Sequence, residues 1–272
     1  MTDRSHALKI ALLQTNAGPD SEVNLARVER LVGNVPAVDL IALPEVFALR
    51  GSDADYRAKS EPIPGPISER LSALARSRGA WILAGSIIER AEDGIFNTSV
   101  LLDRHGNVAF RYRKIHLFEA RLDDGRIIRE ADVYAPGNRP VLADIEGWLC
   151  GMTICYDVRF PELFRYYASR GAHVLLIPSN FTQRTGKDHW EVLVRARAIE
   201  NQCFVVAPDQ CGTNRATDVE SHGHSMVVGP WGEVLGEAGT DEKVLVVDLN
   251  KSALDQTRQR IPALTHRRSE IF

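Results

Sequence analysis

Cys155 ends the apolar run Gly151-Met152-Thr153-Ile154, and Pro161 begins a helical pattern a few residues later. A strand–turn–helix junction of that kind aims a side chain out of a sheet, as a nucleophile elbow does. Amides at a nearby helix N-terminus favour a thiolate there. Free cysteine is also among the residue types most often buried for packing alone, so Cys155 by itself supports either role. Glu45 follows Asp39-Leu40-Ile41-Ala42-Leu43-Pro44. Pro44 stops that strand and leaves the carboxylate just past its end. Lys114 lies in Phe110-Arg111-Tyr112-Arg113-Lys114-Ile115-His116 and shares strand parity with Tyr112 and His116. Glu130 precedes Ala131-Asp132-Val133-Tyr134-Ala135-Pro136-Gly137. Taken singly, these three charges read more readily as solvated strand ends and loops than as catalytic groups.

Together they describe a chemistry. A thiol nucleophile needs a base that takes its proton and later gives it to the leaving group. It also needs a donor aimed at the oxyanion of the tetrahedral intermediate. A carboxylate and an ammonium supply both without a histidine. The competing catalytic reading pairs Cys155 with His116, but no Asn or Asp orienter can be placed beside that pair. His222 and His224 could share a strand face toward a metal, yet no third ligand with suitable spacing accompanies them. Arg159 could bind a substrate carboxylate; pairing with Asp157 or Glu162 to brace the turn is the reading favoured here.

The elements that must position these residues alternate along the chain. Apolar runs predict strands over Ala7–Leu13, Asp39–Leu43, Trp81–Glu89, His173–Pro178, Cys203–Pro208 and Lys243–Asp248. Helical patterns cover Glu22–Leu31, Ile67–Arg78, Glu162–Arg170, Trp190–Asn201 and Ser252–Arg260. Asp20 or Ser21 caps the first helix, Gly79 ends the second and Pro161 sits in the first turn of the third. Hairpins are expected between Thr98–Asp103 and Asn107–Arg113, between Val141–Ile145 and Gly147–Cys155, and between His224–Val228 and Glu233–Glu237. Strand–helix alternation argues for a layered α/β domain. About a dozen strands exceed one compact open sheet, so two packed mixed sheets flanked by helices are expected. No linker or repeat divides residues 1–272, which read as one domain.

Bulk properties exclude little but point consistently. The 272 residues carry a formal charge of −3, with 44% hydrophobic and 25% charged residues, as in an ordinary globular protein. A nucleic-acid partner would call for a basic excess. The run Ala7–Leu13, broken by Lys9, is too short for a signal peptide, and no stretch approaches a membrane span. Cys150, Cys155, Cys203 and Cys211 read as reduced thiols of a cytoplasmic protein rather than a disulfide framework.

The chain resembles the nitrilase superfamily of carbon–nitrogen hydrolases along nearly its whole length. The resemblance is carried by Leu43-Pro44-Glu45, by Tyr112-Arg113-Lys114-Ile115-His116-Leu117-Phe118 and by Ile154-Cys155-Tyr156-Asp157-Val158-Arg159-Phe160-Pro161-Glu162. These match the family's Glu, Lys and Cys motifs in order. Glu130, before Ala135-Pro136-Gly137, matches its second glutamate. The stretch from His189 to Gly212, and Ile261-Pro262 with Arg267-Arg268, look most like the Nit branch of omega-amidases and deaminated-glutathione amidases.

The resemblance implies a four-layer α-β-β-α sandwich and a small carboxylated amide as substrate. It also implies a cysteine thioester intermediate, release of ammonia and no cofactor. Glu45, Lys114, Glu130 and Cys155 would be catalytic, with Tyr156, Asn180, Phe181 and Thr185 at the substrate. Arg184, Lys187 and Arg126 are candidates for a substrate carboxylate. A homodimer or higher homo-oligomer is implied, with the segment from 251 to 272 near its interface. Nitrile or N-carbamoyl hydrolysis on the same fold, and a non-catalytic binding role, remain open alternatives at this point. The segment between Lys114 and Glu130, and Ser179–Thr185, depart from the branch pattern and leave the substrate unfixed.

Overall fold

The computed structural model describes residues 7–121, 125, 127–268 and 270–271. The first half runs β1 (Ala7–Gln14), α1 (Ser21–Gly33), β2 (Leu40–Ala42), α2 (Asp53–Ala58), α3 (Pro66–Arg78), β3 (Trp81–Ala91), β4 (Gly94–Leu102) and β5 (Val108–Arg113). A small hairpin follows, β6 (Glu119–Arg121) with β7 (Ile127–Arg129), and leads into a single 3₁₀ turn at Glu130–Asp132. Next come β8 (Val141–Ile145), β9 (Trp148–Met152), a 3₁₀ turn at Cys155–Arg159, α4 (Pro161–Ala168), β10 (Val174–Leu176) and α5 (Gln183–Asn201). The chain continues through β11 (Phe204–Ala207), β12 (Cys211–Asn214), β13 (Val219–His222), β14 (Met226–Val228), β15 (Val234–Glu237), β16 (Lys243–Asn250) and α6 (Lys251–Arg260).

Two six-stranded mixed sheets result, in the orders β16-β1-β2-β3-β4-β5 and β15-β14-β11-β10-β9-β8. Alternation along β1 explains how they stack. Leu8, Ile10 and Leu12 pack into the core shared with the second sheet. Ala11 and Leu13, one residue out of phase, pack instead against Leu25 and Val28 of α1 and Leu71 of α3. The second sheet is buried on both faces, with Leu175 and Val205 in a core that includes Phe164 of α4 and Trp190 and Val194 of α5. The layers therefore run helix, sheet, sheet, helix, as expected. Asp20 caps α1 by accepting from the amides of Glu22 and Val23, and Gly79 closes α3 with a left-handed φ of 58°.

Several expected boundaries shift. Helix α5 starts at Gln183, seven residues before the expected Trp190. Its first two turns, Gln-Arg-Thr-Gly-Lys-Asp-His, carry no apolar stripe. Helix α2 buries no residue at all, and its capping box at Ser52 and Asp55 is its main local signal. The β6–β7 and β12–β13 hairpins are three- and four-residue strands that were not expected. These short elements stand at the mouth of the site described next.

Candidate active site

Four strand ends converge. Glu45 lies beyond β2, Lys114 directly after β5, Cys155 beyond β9 and Asn180 beyond β10. The parallel neighbours β2 and β3, and β9, β10 and β11, open their carboxyl ends toward one crevice.

Each segment is held there by identifiable contacts. The strand β3 breaks register with β4 between Ala84 and Ile87, and the Leu43–Pro44 segment lies directly over that break. A side chain at Gly85 would stand 1.8 Å from the Pro44 carbonyl, so only glycine permits this approach. The Val46 amide donates to Ser86 Oγ at 2.9 Å, and the Gln210 side chain donates to the Glu45 carbonyl at 2.9 Å. Lys114 is fixed by its backbone: its amide donates to Asn97 O, and its carbonyl accepts from the Gly137 amide at 2.7 Å. Gly137 is likewise required, because an added Cβ would meet the Arg113 carbonyl at 2.1 Å. Ala-Pro-Gly thus clamps the lysine strand end.

Cys155 has a positive φ of 45°. For a residue with a Cβ that conformation costs roughly 1–2 kcal/mol. Its amide donates to Pro178 O at 2.9 Å, and the amide of Ile154 donates to Asp157 Oδ2 at 2.9 Å. These bonds hold a strained turn of the type seen at nucleophile elbows.

The charged groups form one buried cluster. Lys114 Nζ donates to Glu45 Oε1 at 2.9 Å and to Glu130 Oε1 at 2.8 Å. Lys114 is 1% exposed and Glu45 3%. Asn97 Nδ2 adds a second bond to Glu45 Oε1 at 2.8 Å. Glu45 Oε2 takes no donor among the described residues, which leaves it able to accept a proton. Glu130 is pinned to Phe118 in both directions: its Oε2 accepts from the Phe118 amide at 2.7 Å, and its own amide donates to Phe118 O at 2.8 Å.

Two carboxylates share one ammonium, and the electrostatics follow. Burial opposes the charge of Lys114, but Glu130 and Glu45 outweigh it and hold the ammonium well above lysine's ordinary value. Burial raises the Glu130 carboxyl against the pull of Lys114. Burial, then the Glu45 carboxylate, push the Cys155 thiol well above its ordinary value; Lys114 and the Asn180 amide pull the other way. The thiol therefore rests protonated, which corrects the expectation that helix amides would favour a thiolate.

Tyr156, Asn180, Phe181 and Thr185 all line the same cavity of about 500 Å³ as Glu45, Lys114, Glu130 and Cys155. Arg159 lines it too, with its guanidinium 5.8 Å from the Tyr156 ring centre and 5.3 Å from that of Phe181. The expected brace from Arg159 to Asp157 or Glu162 is not formed among the described residues; the guanidinium instead lies 3.4 Å from His189 Nδ1. Asp157 is occupied elsewhere, bonded to Tyr112 and His116. Neither Arg184 nor Lys187 reaches the cavity wall, and Arg126 lies outside the described residues. His116 is committed to Asp157 at 2.7 Å and stacks on Phe160, so it does not serve as a partner for Cys155. His222 and His224 face Gln183 and Glu237, with their rings stacked at 4.4 Å. No group of three potential metal ligands occurs among the described residues.

Residues 9–259 match the carbon–nitrogen hydrolase family. The chain belongs to that family. It is 37% identical to deaminated glutathione amidase of Synechocystis over 264 residues, covering 94% of this chain and 97% of the relative. It is 33% identical to omega-amidase of Bos taurus over 266 residues, covering 97% and 96% respectively. Both relatives carry activities that the resemblance to the Nit branch implied. A mutant of the amidase from Nesterenkonia sp. AN1, carrying the acetamide moiety of fluoroacetamide on its active-site cysteine, superposes with a TM-score of 0.81. That structure is 28% identical and covers 100% of this chain and 98% of its own. The protein is thus a hydrolase of carbon–nitrogen bonds of the amidase type.

Sequence reasoning missed Asn97, which orients Glu45, and the pinning of Glu130 by Phe118. Asn97 did leave a signal: it is an amide in the apolar strand β4, where a buried polar group needs a partner.

Proposed function

We propose that the protein releases ammonia from a small carboxylated amide through a thioester on Cys155. The observation that carries this reading is the Lys114 ammonium held between Glu45 and Glu130 on the wall that contains the thiol. Glu45 Oε2 takes the thiol proton as sulfur attacks the amide carbonyl carbon. Lys114 Nζ and the Tyr156 amide hold the oxyanion. As the intermediate collapses, the C–N bond breaks, and Glu45 gives its proton to the nitrogen, which leaves as ammonia. Water then attacks the thioester carbonyl and passes a proton to Glu45. The C–S bond breaks, the acid departs, and the proton returns to sulfur. Glu130 keeps Lys114 charged and in place throughout.

Arg159 supports the choice of a carboxylated substrate. It is a cation at the cavity wall, set against two aromatic faces and without a carboxylate partner among the described residues. Such a fork suits a carboxylate on the acyl side of the amide. An ammonia-release assay over short amides, nitriles and carbamoyl compounds tests the reading. Carboxylated amides should be turned over by the wild type and not by Cys155→Ala. Arg159→Met should raise KM for them at least tenfold while leaving neutral amides unchanged. Preference for nitriles or carbamoyl compounds would overturn it.

We also propose one domain over residues 1–272 that works as a homodimer in the cytoplasm. Val192 and Ile199 on α5 are 67% and 51% exposed, and Trp231, in the β14–β15 turn that packs against Ile199, is 49% exposed; together they make an apolar surface that a second copy would cover. Ile261, also exposed, follows α6 and carries the C-terminal segment into the same proposal. The four cysteines are free and buried, which supports a reducing compartment. No described helix is long and apolar enough to cross a membrane.

A further inference from the structure

Asp157 is 0% exposed, yet its carboxylate sits only two residues from Cys155 and takes no part in the proton transfers above. An unpartnered carboxylate there would be strongly destabilising, so its partners matter. Oδ2 accepts from Tyr112 Oη at 2.6 Å and from the Ile154 amide at 2.9 Å. Oδ1 accepts from the His116 amide at 3.1 Å and faces His116 Nδ1 at 2.7 Å. One buried carboxylate therefore collects four donors from two distant stretches of chain.

The placement of those donors is specific. Tyr112 and His116 stand two residues before and two residues after Lys114. Ile154 and Asp157 stand one residue before and two after Cys155. Lys114 reaches the site from the first sheet and Cys155 from the second. The Asp157 carboxylate spans the two sheets at the point where their reactive groups must keep register. Phe160 braces the far side by stacking on the His116 ring at 3.6 Å and 7°.

We propose that Asp157 is a positioning residue that fixes the Lys114 ammonium relative to the Cys155 sulfur, acting through Tyr112, His116 and the Ile154 amide. The proposal rests on the functional reading above for its kinetic consequences, but not for its effect on thiol reactivity. A misplacement of the order of 1 Å between reacting groups can cost about a hundredfold in rate. Asp157→Asn retains one acceptor oxygen and turns an NH2 toward one of the two donor pairs, so the register between sheets loosens.

The test compares the full-length wild type with Asp157→Asn, Tyr112→Phe, His116→Ala and His116→Asn. Asparagine at 116 restores an N–H near the position of Nδ1. Two readouts are taken on folded protein: kcat and KM for the amide the wild type accepts, and the rate of Cys155 alkylation by iodoacetamide. Asp157→Asn should lower kcat at least tenfold with KM within threefold, and change the alkylation rate at least fivefold. Tyr112→Phe and His116→Ala should fall in the same direction, and His116→Asn should recover most of the His116→Ala loss. A purely structural role would lower thermal stability while kcat and alkylation per folded molecule stayed within twofold of wild type; that outcome overturns the proposal. Should Asp157→Asn not fold, the Tyr112 and His116 variants decide by the same criteria. A wild type that hydrolyses no amide would sink the functional reading, while alkylation would still judge the placement.

Discussion

Lys114 Nζ lies 2.9 Å from Glu45 Oε1, with both side chains buried between the two sheets. The ammonium has a second carboxylate at 2.8 Å on Glu130, so its removal leaves two buried acids facing each other. Lys114→Ala should lower stability by about 3–5 kcal/mol, the usual cost of breaking a buried pair from one side. It should also lower kcat about a hundredfold or more, because an oxyanion donor is lost. Urea denaturation and ammonia release on the same preparation check both effects.

The two glutamates should separate kinetically. Glu45→Gln removes the proton acceptor and should cost on the order of 10²–10⁴ in kcat. Glu130→Gln leaves the Lys114–Glu45 contact in place and should cost at least tenfold less. Pre-steady-state release of ammonia distinguishes them: acylation slows in Glu45→Gln, and a smaller loss spread over both half-reactions marks Glu130→Gln.

Acid should destabilise the fold through a histidine far from the site. Burial, with Lys251 and Arg258 nearby, depresses His173 from 6.5 to about 4. Its Nδ1 accepts from the Leu149 amide at 3.0 Å, which a proton there would prevent. The unfolded chain takes up that proton first. This contribution to stability is therefore present above pH 6.5 and is lost as pH falls toward 4. Denaturation midpoints should drop between pH 7 and pH 5, and His173→Gln should flatten that slope.

Alkali should act in the opposite sense through the thiols. Burial raises Cys203 to about 11 and Cys211 to about 12, from 9.0. The unfolded thiols ionise first, so their contribution is intact below pH 9 and is lost as pH rises through 11 to 12. Midpoints measured at pH 8 and pH 10.5 should decline, and Cys203→Ser should reduce the decline.

The exposed apolar face on α5 gives an assembly prediction. Val192→Asp combined with Ile199→Asp should shift the protein from dimer to monomer in light scattering. The charge is added to surface positions, so little change in the secondary-structure spectrum should accompany it.

Much of this was legible in the residues, for reasons that differ by element. The strands β2 and β10 are fully buried and β1 is buried over most of its length, so their apolar runs announce them. Cys155, Glu45 and Lys114 stood out because each is a reactive side chain at the end of such a run. Helix α2 and the β6–β7 hairpin were not legible, since they are short and bury no residue, and the β12–β13 hairpin was not, since the residues it buries include Asn214, Ser221 and His222 rather than an apolar run. Yet those elements form the cavity mouth, through Ser52, Ile127 and Val219 among others. The role of Arg159 was misread because Asp157, its nearest acid in sequence, faces inward to Tyr112 and His116. Sequence proximity named the wrong partner; only the fold shows that the carboxylate was already engaged.

The central claim is that Cys155 carries the acyl group. The wild type, mixed with a carboxylated amide, quenched rapidly in acid during turnover and read by intact mass and peptide mapping, tests it most directly. The account predicts a mass increase equal to the substrate minus ammonia, on the peptide containing Cys155. Turnover by the wild type with no adduct at any quench time, or an adduct mapped to Cys203 or Cys211, would contradict it.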